Sequence, residues 1–208
     1  MLSGWPDRIA VTPHAIQTVE AGLFGKLPAR GDFVRIGLPG HFVMPWDAWL
    51  QGVIAASEAT LGSGWLPAYL VSPVWRFVLP RGMCGPGTVV GAMLPSVDRV
   101  GRYYPLTLAA VMSPGGLVPP NEAVGAWLDA CEAAGRAALE EDLAPDQVLQ
   151  RLPALPASEA TAEPLSGIWW TDGGPRLPPT RRSRVALPDA MEFVAMLGEG
   201  AAAQEKDT

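Results

Sequence analysis

Apolar positions along the chain fall into two periods, one of two residues and one of three to four. Between Gln17 and Leu27, Val19, Ala21, Leu23 and Leu27 stand around Phe24, which predicts a first strand ending at Pro28. Phe33, Val34 and Ile36 follow and are expected to fold back onto the core. The period then lengthens. Trp46, Trp49, Leu50, Val53, Ile54 and Leu61 recur at helical spacing. Pro45 is read as opening this helix, because proline suits the first helical turn, and Gly62 and Gly64 as closing it. Nothing polar interleaves the two tryptophans, so their stripe reads as core and not as a docking surface.

Alternation returns at residues 73–79, where Trp75, Phe77 and Leu79 oppose Val74, Arg76 and Val78. Residues 80–87 are turn-rich, and two more strands are predicted over 88–94 and 105–112. The links between the three strands are roughly eight to ten residues, shorter than the dozen or more that a parallel crossover needs. An antiparallel meander over 73–112 follows. After a loop at 113–120, Asn121 caps a helix to about Asp142. Its buried stripe is Val124, Trp127, Leu128, Cys131, Ala134, Ala138 and Leu139. Pro145 starts a shorter helix to about Leu152.

Residues 153–165 read as a mobile Pro/Ala linker and 166–170, SGIWW, as a short apolar strand. Residues 171–184 read as a polar loop with a small basic cluster, and 188–197 as a last helix. The expected architecture is α/β: a three-layer αβα sandwich around a mixed, largely antiparallel sheet. One domain spans 18–197, with a flexible lead-in over 1–17 and a disordered tail over 198–208.

Composition narrows the function classes. Apolar residues make up 49% of the 208, enough for a substantial core. Charged residues are 17%, below the usual share of about 25%, and a charge-poor surface suggests contact with a partner. The net charge of −6, with acids spread along the chain, argues against nucleic-acid binding. Cys84 and Cys131 stand alone and are expected to be free thiols. His14 and His41 are too few for a histidine-rich metal site. The N-terminus lacks the basic start and apolar run of a signal peptide, and no apolar run approaches the ~18 residues of a membrane span. A cytoplasmic location is expected.

Familiar catalytic arrangements are absent from the sequence. GLFGKLPARGD is glycine-rich, but Leu27 follows Lys26 where a phosphate loop needs Ser or Thr, and Gly22 and Gly25 are too close together. No GxSxG elbow occurs, and neither histidine lies near a plausible nucleophile. Asp98, Asp129, Glu132 and Asp172 are scattered, as on a solvated surface. No catalytic residue, cofactor or metal is assigned. Arg30-Gly31-Asp32 imitates an adhesion tripeptide, a coincidence in a cytosolic chain.

Two charged turns remain. Lys26, Arg30 and Asp32 lie in the first; Asp98, Arg99 and Arg102 lie in the second, beside Tyr103 and Tyr104. One reading has Asp32 and Asp98 pair with nearby arginines and hold the turns in shape. The other has the turns meet at one edge of the sheet as a recognition surface, since Arg beside Tyr is a favoured composition for protein contacts.

GLFGKLPARGDFVR, PWDAWL, PVWRFVL, GAMLPSVDRVGRYYPLT and the later SGIWW resemble the TagF/ImpM family of type VI secretion-associated proteins. The resemblance is densest over about residues 20–135. It implies a cytoplasmic accessory protein that restrains the secretion machine after translation, through the system's forkhead-associated scaffold protein. It also implies a three-layer α/β sandwich, and it carries over no catalytic residue. The shared Lys26, Pro28, Gly31, Asp32, Phe33, Pro95, Asp98, Gly101, Arg102 and Pro105 are then read as architectural. Two competing expectations are a hydrolase or binding protein for a phosphorylated or nucleotide signal, acting through Lys26, Arg30 and Asp32, and a structural baseplate component.

Overall fold

Strand-period segments build a seven-stranded sheet in the computed structural model, which describes residues 17–113, 121–157 and 165–198. The elements in chain order are β1 (Gln17–Val19), β2 (Ala21–Gly25), β3 (Val34–Ile36), α1 (Gly40–Leu61), α2 (Trp65–Leu70), β4 (Trp75–Leu79), β5 (Val89–Leu94) and β6 (Leu106–Val111). They continue with α3 (Asn121–Glu140), α4 (Pro145–Gln150), β7 (Leu155–Ala157), β8 (Gly167–Thr171), β9 (Thr180–Arg184) and α5 (Ala190–Met196). The large sheet runs β3-β2-β6-β5-β4-β8-β9. Every pairing in it is antiparallel, including the expected β4-β5-β6 meander.

Period-two alternation on strands buried on both faces sends successive side chains into two different cores. Trp75, Phe77, Leu79, Val89, Met93 and Trp169 point to one face, where α1, α2 and α5 cover them. Val74, Val90, Ala92, Leu94, Leu106 and Leu108 point to the other, under α3 and α4. The result is the anticipated three layers. Trp46 is the centre of the first core: its ring lies 5.5 Å from Phe42, 4.8 Å from Phe77 and 4.7 Å from Trp49, and its indole N–H donates to Thr107 Oγ1 at 2.9 Å. The tryptophan stripe is therefore core, as read. Among the described residues no helix is long and apolar enough to cross a membrane.

Several boundaries differ from the sequence reading. The first strand is two strands, β1 and β2, and β1 leaves the sheet to pair with β7 in a separate ribbon. Residues 155–157 are thus a strand and not linker, with Leu155 fully buried in the second core. The first helix starts at Gly40, so Pro45 sits inside it. α2 falls in a stretch to which no element is assigned from the sequence. β9 falls in a stretch read as polar loop: TRRSR has no apolar face of its own, yet it pairs along β8, and Arg181 lies over the Trp170 ring at 5.7 Å. Residues 1–16 of the lead-in, 114–120 of the loop, 158–164 of the linker and 199–208 of the tail lie outside the described residues.

The supposedly scattered acids also gather. Arg76, on β4, is paired with Asp129 (2.8 Å) and Glu132 (2.9 Å) of α3 and with Asp172 (3.2 Å) after β8. Its side chain is only 12% exposed. Burial works against charge on both Arg76 and Glu132, but their mutual hydrogen bond and the surrounding ion pairs outweigh it, raising the arginine's pKa and lowering the glutamate's. Arg76→Ala is expected to lower the unfolding free energy by about 2–3 kcal/mol, because Glu132 loses its inner partner. Urea denaturation measures this, and a loss under about 0.5 kcal/mol would reduce the network to surface decoration.

Candidate functional site: two charged turns at one end of the sheet

β2 runs antiparallel to β6, so the turn that leaves β2 and the turn that enters β6 meet at the same end of the sheet. Gly25 makes their approach close. Its φ is +133°, and a Cβ there would lie 2.1 Å from the Pro105 carbonyl oxygen. Just beyond, Lys26 Nζ meets Asp98 Oδ2 at 3.0 Å, with the two side chains 7% and 0% exposed. The lysine from the first turn and the aspartate from the second thus form a buried ion pair between the turns.

Asp98 organises its own turn as well. Oδ1 accepts from the backbone N–H of Val100 (3.0 Å) and Arg102 (2.9 Å), and Oδ2 accepts from Arg102 Nε (2.7 Å). Gly101, at φ +84°, supplies the left-handed residue that closes this loop. Burial alone would push the Asp98 carboxyl up. The Arg102 N–H, the Lys26 ammonium and the Arg102 guanidinium outweigh it and hold the carboxyl well below the usual carboxylate range. Further bonds tie the turns together: Arg102 Nη2 donates to the Gly31 carbonyl, and the Arg99 N–H donates to the Arg30 carbonyl at 2.9 Å.

The residues singled out in the sequence therefore come together spatially, with different fates. Lys26 and Asp98 are beneath the surface, whereas Arg30, Asp32, Arg99 and Arg102 are exposed. Asp98 pairs with Lys26 and Arg102, not with Arg99. Asp32 does not pair with an arginine among the described residues; its carboxylate accepts from the Phe33 N–H at 2.8 Å. Phe33, expected in the core, is half-exposed, stacked on Phe24 and edge-on to Tyr104, with the Lys26 ammonium over its ring at 5.1 Å. Tyr103 lies partly buried, its ring 5.9 Å from that of Tyr69.

Sequence reading missed the supports beneath the turns. Ser96 Oγ donates to the Lys26 carbonyl at 2.6 Å. The Tyr69 hydroxyl accepts from the Ser96 N–H (2.8 Å) and donates to the Ser96 carbonyl (2.9 Å). Tyr104 donates to Asp47 Oδ1 at 2.6 Å; burial and then this bond raise its phenol pKa. Tyr69 sits on α2, six almost wholly apolar residues in which the helical spacing of Trp65, Ala68 and Tyr69 does not stand out. Beside the turns, between the end of α2 and the C-terminal part of α3, lies a half-open cleft of about 330 Å³. Among the described residues no group of three or more His, Cys, Asp and Glu side chains is placed to hold a metal ion. Both cysteines are buried, and burial pushes the Cys84 thiol up to about 12.

Residues 22–155, which contain both turns, match the family model of the TagF N-terminal domain, described as type VI secretion system-associated. The chain belongs to the TagF family. A solved relative of this TagF chain is PA0076 from Pseudomonas aeruginosa PAO1, whose crystal structure was determined at 2.05 Å resolution. The two are 36% identical with a TM-score of 0.77, over 87% of this chain and 96% of PA0076. No curated protein matches the chain. In this TagF chain, Lys26, Gly31, Asp98 and Arg102 from the motifs quoted above join the two turns, and Gly101 closes the second.

Proposed function

We propose that this TagF chain is a non-catalytic, cytoplasmic accessory protein of the type VI secretion system. It acts as a post-translational negative regulator by contact with the system's forkhead-associated scaffold protein. The observation that carries this reading is the division of labour in the two turns. Lys26 and Asp98 are engaged with each other below the surface, while Arg30 and Arg99 above them are exposed and, among the described residues, without an ion-pair partner. Arg102 adds a third exposed guanidinium. In a chain of net charge −6 these arginines form a local cationic rim beside Tyr103, suited to a protein partner.

A hydrolase acting through Lys26, Arg30 and Asp32 would need the three side chains to converge. Lys26 is instead turned inward against Asp98, with Arg30 and Asp32 outside. A baseplate component would co-purify in fixed ratio with the assembled machine, whereas a regulator would not.

Deletion in the native host is expected to raise secretion of the tube protein under repressing conditions. The double substitution Arg30→Glu, Arg99→Glu is expected to reproduce the deletion while leaving thermal unfolding unchanged, because both side chains are exposed. Secretion that is unaltered by deletion under both repressing and activating conditions would overturn the reading.

A further inference from the structure

The cleft beside the charged turns is walled mostly by apolar residues, and the arginines without an ion-pair partner, among the described residues, stand on one side of it. Pro28, Tyr69, Leu70, Leu94, Tyr103 and Leu139 contribute to its walls. Its size, about 330 Å³, suits one large side chain. The Tyr69 hydroxyl at its base already exchanges two hydrogen bonds with the Ser96 backbone, so that group makes no demand on an occupant. At the mouth, Leu70 is 56% exposed, and Val100 on the adjoining turn is 65% exposed. Exposed apolar residues around a preformed cleft mark a place where a partner inserts an anchor.

Charge selects the partner. Pro28 and Val97 line the cleft, and Arg30 and Arg99 stand two residues beyond them on the same turns, exposed and unpaired among the described residues. Asp98, next to Arg99, is sunk and neutralised by Lys26 and Arg102, and Asp32, two residues from Arg30, is exposed and accepts from the Phe33 N–H, so Arg30, Arg99 and Arg102 outnumber the one acid left on the surface of the turns. On the opposite wall the border is different: Arg136 is bound to Glu132, and Glu140 is exposed. The field across the mouth therefore has a direction, positive at the turns and negative at the end of α3. A second copy of this chain is a poor occupant, because a symmetric contact here would set Arg30 and Arg99 against their own kind.

We propose that this cleft seats one apolar side chain from an acidic segment of the partner protein, with Asp or Glu residues on one side of that anchor meeting Arg30 and Arg99. The proposal rests on the reading of the chain as a contact-mediated regulator and adds the chemistry of the segment it binds. Glu140 sets the orientation, by excluding the acidic flank from the α3 side.

The test is a selection of random dodecapeptides displayed on phage against the purified chain, followed by affinity measurements on the enriched peptides made synthetically. The expected consensus has one Leu, Ile, Phe or Trp with at least two acidic residues on one side. Leu70→Arg and Arg99→Glu, both at exposed positions, are each expected to weaken binding about tenfold with unchanged thermal unfolding. Selection against Arg99→Glu is expected to lose the acidic preference. If Leu70→Arg does not fold, Arg99→Glu still reads out the charged half. No enrichment, a neutral or basic consensus, binding indifferent to Arg99→Glu or to a folded Leu70→Arg, or a solution dimer that Leu70→Arg dissolves would each overturn the proposal. The regulatory reading is tested separately by the secretion assay. An acidic consensus with unaltered secretion leaves the cleft standing and removes the regulator.

Discussion

Trp46→Ala is expected to remove a large share of the folding free energy, about 3–5 kcal/mol out of the roughly 5–15 kcal/mol of an ordinary domain. The indole is fully buried and touches the ring of Trp49 on its own helix and rings from two strands, Phe77 on β4 and Trp169 on β8. No neighbour can move into the space without leaving its own contacts, so the cavity persists. Trp46→Phe separates packing from hydrogen bonding. It retains a ring but takes the donor away from Thr107 Oγ1, at an expected cost of about 1–2 kcal/mol. Denaturant unfolding of the two variants side by side measures both. A Trp46→Ala loss no larger than that of Trp46→Phe would mean that this cluster does not hold α1 to the sheet.

Lys26→Met is expected to destabilise the fold more than the double variant Lys26→Met, Asp98→Asn. Removing the lysine alone leaves a carboxylate in a buried place with one of its cationic partners gone, whereas the double change removes both charges. The single variant should unfold roughly 5–10 °C lower, with part of that loss recovered in the double. The pH dependence follows from the direction of the Asp98 shift. Its folded pKa lies below the ordinary 3.8, so the native state holds this proton less tightly than the unfolded chain does. The stabilisation is complete above that ordinary value and is lost as pH falls below it toward the folded pKa. The stability gap between wild type and Asp98→Asn should therefore narrow on acidification below about pH 4 and stay constant from pH 5 to 8. A gap that is flat through the acid range would show that the carboxylate's charge is not what holds the turns.

Where the sequence was legible, a strong period was present. β4 declares itself by alternation, and α1 and α3 by apolar stripes at helical spacing; the meander follows from short links. What escaped has a physical reason in each case. β9 is an edge strand whose side chains face solvent or lean on neighbours, as Arg181 does on Trp170, so alternation has nothing to mark. β1 and β7 are three residues each and define each other only by pairing. Pro45 misplaced the start of α1 because its preference for the first turn is a tendency, and Phe42 and Val43 are buried on the same helix ahead of it. In the site, spacing exposed both turns but not which charges were internal. Lys26 reads as a surface residue until the Asp98 beside it, more than seventy positions away in sequence, is known.

Sheet order also sets which seams cost most to close. β2 lies at the far side of β6, while β4, β5 and β6 are joined by short links. During synthesis β2 emerges with its neighbour β3 well before β6, and its seam with β6 closes a loop of about eighty residues, against the short links of the meander. The β2–β6 seam is thus more expensive in loop entropy than either seam within the meander. The Lys26–Asp98 ion pair fastens the end of that seam.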